Sequence, residues 1–387
     1  MKNKFIYLLS VGHLAVDTAQ GSLPALLPFF IMQYGLSYSE AAGLAFANTI
    51  LASIAQPIFG YYSDKVSKPW FIAFGTILSG ATLSGMGFTD SYLLLFLLSM
   101  LAGLGSAIFH PEAARLINQI SHKNKGKSMS VFSIGGNAGF AVGPIIASLC
   151  VYTLGQYGML IYLLANTLVA GALFYYMPQI LALASQSERS TQTKTQESYT
   201  NDWKSFSQLS FVIFSRSILF SVLTTFIPIF WITVLMQSAQ AGSYALTLFH
   251  GLGTVLTMIG GIMADRLGLV KVLRWAHWVM VPSILLFPFC TNVYLATALL
   301  VTLGFSIFAS YSPIIILGQT YLSKSIGFAS GVTLGLGVTM GGIVTPLVGW
   351  IADSHGVSNA LMVLWIAALG GFIFSYIIKE PSKGHVR

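Results

Sequence analysis

The chain has 387 residues, of which 55% are hydrophobic and only 8% charged, and its mean hydropathy is +0.77. A soluble domain carries roughly 25% charged residues, so this composition excludes an ordinary water-soluble protein. The formal net charge of +8 invites a nucleic-acid reading, but the basic residues sit in short loops between apolar runs, which is the pattern of a membrane protein.

The apolar runs are about twenty residues long, the length with which a helix crosses roughly 30 Å of hydrocarbon. Lipid offers the backbone no hydrogen bonds, so these runs are expected to be helices; the short alternating segments of a transmembrane barrel are absent. The first run follows Lys2 and Lys4 and extends from Phe5 to about Ile31. It is too long for a signal-peptide core and has no cleavage site. Further along the chain, the sequence predicts twelve spans: 5–33, 39–62, 69–89, 91–118, 128–152, 157–178, 208–235, 240–263, 271–290, 294–320, 327–351 and 357–379. The fold class is therefore an all-α polytopic membrane protein. One long polar stretch, Ser185 to Asp202, is rich in Ser, Thr and Gln and reads as a linker. The expected organisation is an N-terminal six-helix bundle over 1–180, a cytoplasmic linker over 181–206 and a C-terminal six-helix bundle over 207–387.

Loop charges set an expected orientation. Lys65 and Lys68 follow span two, Lys123, Lys125 and Lys127 follow span four, and Arg189, Lys194 and Lys204 lie in or beside the linker. Arg266, Lys271 and Arg274 follow span eight, Lys324 follows span ten, and Lys379, Lys383 and Arg387 end the chain. The opposite loops hold Glu40, Asp90 and His355 but no Lys or Arg. The positive-inside rule then places both termini in the cytoplasm of a cell with the chain in its inner membrane, which requires an even number of spans. Cys150 and Cys290 lie near the ends of apolar runs without CxxC pairing and read as small buried residues.

The two halves repeat. Gly60 and Asp64 match Gly261 and Asp265 at an offset of 201, and Pro111 matches Pro313 at 202. Ser128 with Ser330, Gly139 with Gly341, and Pro144 with Pro346 share the offset of 202. Corresponding markers at constant spacing indicate a duplicated six-helix unit.

Gly261-Ile-Met-Ala-Asp265-Arg266-Leu-Gly268-Leu-Val-Lys271 resembles the GxxxDRxGxxK loop of the major facilitator superfamily. Physically, Gly261 is expected to let two helices approach, Asp265 to cap a helix start or pair with a base, and Gly268 to form a tight turn. The first-half copy keeps Gly60 and Asp64 but loses the later Gly. The resemblance implies that Gly60, Asp64, Gly261, Asp265, Arg266 and Gly268 belong to a conformational switch. It also implies two six-helix bundles with substrate between them, and helices one, four, seven and ten around a central cavity. The superfamily's span-four Arg motif is missing, since Ser99 occupies its position.

Charged residues within spans are costly and mark pathways. They are Asp17 in span one, Glu112 and Arg115 in span four, and Arg216 in span seven, all on helices that the resemblance assigns to the cavity. His13 and Asp17 are four apart and share a helix face. Burial favours a neutral Asp17, and a neighbouring His or cation favours a charged one. The bland reading of this pair is a structural tie between helices. In His110-Pro111-Glu112-Ala-Ala-Arg115, Pro111 frees a backbone carbonyl, and Glu112 and Arg115 can pair at i,i+3, statically or as part of a pathway. Arg216 can snorkel to the cytoplasmic face, or face the cavity and pair with Asp17, Glu112 or an anion. Gly139, Gly143, Pro144 and Pro346 lie in Gly-rich spans suited to close helix packing.

His13-Leu-Ala-Val-Asp17, Gln56-Pro57-Ile-Phe-Gly60-Tyr61, Phe109-His110-Pro111-Glu112 with Arg115, and Gly135-Gly136-Asn137 with Gly143-Pro144 together resemble the fosmidomycin-resistance branch of the superfamily. Phe214-Ser215-Arg216 and Gly349-Trp-Ile-Ala-Asp353 extend the likeness into the second half, with Arg216 where the branch is expected to have Lys. The branch implies export of drugs in exchange for protons. Asp17, Glu112, His13 and His110 would then couple protons, and Arg115 and Arg216 would hold substrate or act as charge partners. The expected partners are a small-molecule substrate, protons and membrane lipids, with no nucleic acid, no metal and no cofactor, in a monomer. The competing readings are a nutrient or metabolite importer of the same fold and a non-transporting receptor. An enzyme finds no support, since neither HExxH nor GxSxG occurs.

Overall fold

The structure is a computed structural model. It describes all residues except 1, 66–68, 122–124, 189–200, 326–328, 330–331, 334–336 and 381–387. The expected Ser330 marker and the charges at Lys68, Lys123, Arg189, Lys194, Lys383 and Arg387 lie outside the described residues. So do the side chains of Asp64 and Lys65, although their backbone is helical.

The described residues form α1 (Lys2–Tyr34), α2 (Tyr38–Lys65), α3 (Trp70–Gly85), α4 (Tyr92–Ile120), α5 (Lys125–Ile146) and α6 (Leu160–Glu188). The second half holds α7 (Trp203–Thr233), α8 (Ala239–Leu267), α9 (Leu269–Leu286), α10 (Val293–Tyr321), α11 (Gly337–His355) and α12 (Val357–Ile377). Nine stretches among the described residues are long and apolar enough to cross a membrane. The longest of them, 131–185, is broken at Gly155, whose φ of 59° lies in the left-handed region, and contributes both α5 and α6. With α2 and α11 the spans number twelve. Large side chains such as Leu93, Leu168, Phe174, Trp278 and Trp350 are exposed, as a lipid-facing surface requires.

The helix expected to end near 178 continues to Glu188, and α7 starts at Trp203. The segment expected as a linker over 181–206 is therefore helical at both ends. Ala182, Leu183 and Ala184 favour helix, and Asp202 caps α7 by accepting the Ser205 N–H at 3.0 Å.

The chain divides into two compact units, residues 1–35 with 44–196, and residues 36–43 with 197–387. In the first, α1 packs along α5, and α3 packs against α4 and α6. Its core gathers Leu9, Val16, Phe109, Leu116, Phe132 and Leu173. In the second, α7 packs against α11 and α12, over a core of Leu209, Val212, Leu273, Ile314 and Leu317. The repeat has a packing counterpart. A Cβ at Gly139 would lie 2.7 Å from the Leu14 carbonyl oxygen on α1, and one at Gly341 would lie 2.8 Å from Ser221 Cβ on α7. Each glycine presses the fifth helix of its half onto the first.

Candidate functional site

Asp17 sits near the midpoint of α1 and is 4% exposed. One helical turn earlier, His13 Nε2 lies 3.1 Å from Asp17 Oδ2. From α4, His110 Nε2 lies 3.1 Å from Asp17 Oδ1. The two imidazoles meet edge to face at 4.8 Å, and His13 stacks on Phe132 at 4.1 Å. Ser106, one turn before His110, lies 3.0 Å from its Nδ1.

The hydrogen inventory of this cluster is informative. His13 Nδ1 is 2.8 Å from the Phe132 carbonyl oxygen. A carbonyl only accepts, so Nδ1 carries a hydrogen. A neutral His13 would then present a lone pair from Nε2 to Asp17, and a carboxylate presents another. Closing that 3.1 Å contact takes a second hydrogen, carried by the imidazole or by the carboxyl. His110 needs none beyond its own, because Ser106 can donate to Nδ1 while Nε2–H donates to Asp17. A hydrogen bond at both imidazoles requires one proton more than neutral imidazoles and a carboxylate supply. The ligand atoms of His13, Asp17 and His110 all lie within 4.8 Å of one another, and both imidazole–carboxylate contacts are 3.1 Å long.

Helix α5 closes the cluster. A Cβ at Gly136 would collide with the His13 ring and fall 2.6 Å from Asp17 Oδ2; at Gly139 it would fall 2.9 Å from Asp17 Cβ. Gly143 continues the same seam, with a Cβ 2.7 Å from the Ser22 nitrogen. Pro144 is buried beside it, and Pro346 is half-buried in α11.

Glu112 and Arg115 form the expected pair. Arg115 Nη2 donates to Glu112 Oε1 at 2.7 Å and Nε to Oε2 at 3.4 Å, and Glu112 is 1% exposed. Arg216 turns toward α10. Its Nε donates to the Ile307 carbonyl at 2.7 Å, and its guanidinium lies over the Tyr311 ring at 4.7 Å and the Phe220 ring at 5.9 Å. These contacts hold the cation among aromatic faces inside the bundle.

The loop over Gly261–Lys271 differs from expectation in two details. Close helix approach falls at Gly260, where a Cβ would lie 2.5 Å from Ala309 Cα; at Gly261 the nearest atom is an ordinary 3.9 Å away. Consecutive helical positions differ by about 100°, and at this crossing that step turns Gly260 toward α10 and Gly261 away from it. Gly268 makes the turn as expected, at φ 100°. Asp265 and Arg266 are exposed, and the helix start beyond the turn is capped instead by Glu380. Its two oxygens accept the N–H groups of Leu269 at 2.8 Å and Val270 at 3.0 Å.

Ser106, Phe132, Gly136 and Glu380 were not among the expected site residues. Ser106 stands one turn before His110, and Gly136 lies inside the Gly-rich motif, so both carried a signal. The Phe132 carbonyl, being backbone, carried none.

Intramembrane charges held inside repeated helical halves define a secondary transporter. The family model described as Major Facilitator Superfamily matches residues 9–324, and the chain belongs to that superfamily. It is 28% identical over 392 residues to the uncharacterised MFS-type transporter YfnC of Bacillus subtilis (strain 168), covering 98% of this chain and 93% of that protein. It is 25% identical over 384 residues to the fosmidomycin resistance protein of Escherichia coli (strain K12), covering 97% and 93%. Among solved structures, a bacterial homologue of the human lysosomal transporter Spinster superposes with a TM-score of 0.78 at 12% identity, over 97% of this chain and 96% of that one. The chain is a transporter of this fold and not an enzyme.

Proposed function

We propose that the protein is a proton-coupled exporter of small anionic or amphipathic compounds. It would act as a monomer by alternating access in the inner membrane, with both termini cytoplasmic. The observation that carries the proposal is the buried Asp17 carboxylate, met by His13 Nε2 and His110 Nε2 at 3.1 Å each. A buried carboxylate flanked by two imidazoles is a group that can take up and give up a proton, which is what an exchanger needs of its coupling site. The Glu112–Arg115 pair stores a second carboxylate on α4. Arg216, among aromatic rings, supplies a cation for an anionic substrate. The likeness to a fosmidomycin resistance protein supports a phosphonate as first substrate to try.

The test is purified protein in liposomes with an imposed pH gradient and fosmidomycin as probe. Gradient-driven flux is expected in wild type, and Asp17→Asn and Glu112→Gln are each expected to abolish it. Coupling is lost as an idea if both variants transport normally. Unchanged affinity in Arg216→Ala and Arg115→Ala would remove the anion assignment.

A further inference from the structure

The amino end of α2 carries a complete capping box. Ser37 is the N-cap, its Oγ accepts the Glu40 N–H at 3.1 Å, and Glu40 Oε2 accepts the Ser37 N–H at 2.9 Å. A helix start leaves four N–H groups without intrahelical partners, and the box satisfies two of them. The remaining two belong to Tyr38 and Ser39, and both are taken by one carboxylate from the far end of the sequence. Asp353 Oδ1 accepts from Tyr38 N at 2.6 Å and Oδ2 from Ser39 N at 3.0 Å. One turn earlier on α11, a Cβ at Gly349 would lie 2.8 Å from both Ser39 Cα and the Tyr38 carbonyl oxygen. Those are backbone atoms, so the first turn of α2 rests on Gly349 with no room to spare. All of these residues belong to the second unit, which takes in 36–43 although the rest of α2 belongs to the first.

Gly349-Trp-Ile-Ala-Asp353 repeats the pattern of Gly261-Ile-Met-Ala-Asp265, and each lies at the carboxyl end of its helix. Gly60 and Asp64 stand likewise at the end of α2. By the loop charges, α2 and α8 end at the cytoplasmic face and α11 ends at the outer face. Three-helix units of opposite direction within each half would place such a copy there.

We propose that Gly349 and Asp353 form an outer clasp. The carboxylate bound across Tyr38 and Ser39 holds the first turn of α2 to α11 when the outer side is closed, and the transport cycle makes and breaks this contact. The gating role rests on the alternating-access reading above; the contact itself does not. Asp353 is a positioning residue, since it acts through the start of α2 and not on substrate.

Hydrogen exchange read by mass spectrometry over residues 36–43 tests the contact in the purified full-length protein. Asp353→Ala is expected to speed exchange there about three- to thirty-fold, the effect of removing a helix cap. Asp353→Asn, which keeps one acceptor oxygen, should fall between. The gating role is read separately by a membrane-impermeant maleimide on Leu36→Cys, with Cys150 and Cys290 replaced by Ser. Leu36 is 8% exposed, and opening the clasp should raise its labelling from the outer side. Gly349→Ala leaves the carboxylate in place and should reproduce both effects, so it serves if Asp353→Ala does not accumulate. Unchanged exchange in these variants overturns the clasp, whatever transport shows. Faster exchange with unchanged labelling overturns its gating role, and fosmidomycin flux failing in wild type while both readouts respond overturns only the export reading.

Discussion

Gly136 on α5 stands so close to Asp17 on α1 that a single added methyl group would fall 2.6 Å from the carboxylate oxygen that faces His13. The atoms it would strike are the far ends of two side chains, so the helices can stay together while the cluster cannot. Gly136→Ala is therefore expected to cost about 1–3 kcal/mol of stability but to abolish gradient-driven flux in liposomes. Thermal unfolding measured beside flux separates the two, and normal flux would mean that the His13–Asp17 contact is dispensable.

The Glu112–Arg115 pair gives a prediction about stability. Removing one partner from a buried ion pair leaves an uncompensated charge and costs roughly 3 kcal/mol, whereas removing both costs less. Arg115→Gln alone should lower the unfolding midpoint in detergent more than the double variant Glu112→Gln with Arg115→Gln. A double variant worse than either single one would show that the pair is not the main partner of each residue.

Asp202, outside the membrane, accepts hydrogen bonds from Ser205 N at 3.0 Å and Oγ at 2.7 Å, which hold its carboxyl below the usual carboxylate range. A carboxylate depressed on folding adds stability above its unfolded value, about 3.9, and that contribution fades as pH falls through the folded value below it. The gap in unfolding midpoint between wild type and Asp202→Ala should thus be constant from pH 7 to 5 and shrink toward pH 3. A gap that widens on acidification would contradict the capping role.

Glu380 closes the amino end of α9 just beyond the turn at Gly268. Glu380→Ala is expected to remove about 1 kcal/mol from this helix start and to speed amide exchange at Leu269 and Val270 without affecting α7. Exchange unchanged at those two amides would show that Gly268 alone fixes the turn.

Much of the architecture was legible in the sequence because lipid imposes a length and a polarity that apolar runs cannot hide. Asp17 was legible for the same reason, being a charge in the middle of such a run, and its tie to His13 followed from helical spacing. Its tie to His110 was not, since 93 residues separate them and only packing decides which face of α4 meets α1. Gly260 and Gly261 were indistinguishable in a motif, yet helix rotation turns only the first toward Ala309. The box of Ser37 and Glu40 was not among the sequence expectations, and nothing local said that Asp353 would take the two N–H groups it leaves. Glu380 lay in a charged tail, where a carboxylate gives no local hint of a distant partner.

The tail has a practical meaning. Tyr321 OH donates to the Lys379 carbonyl at 2.6 Å, Arg274 donates to the carbonyls of Ser375 and Ile378 at 3.1 Å, and Glu380 grips the start of α9. Anything fused to the carboxyl end by a short connector is mechanically in series with the turn at Gly268. An affinity handle or fluorescent reporter placed there would pull on the Glu380 contacts that fix this turn, and a longer spacer would relieve the pull.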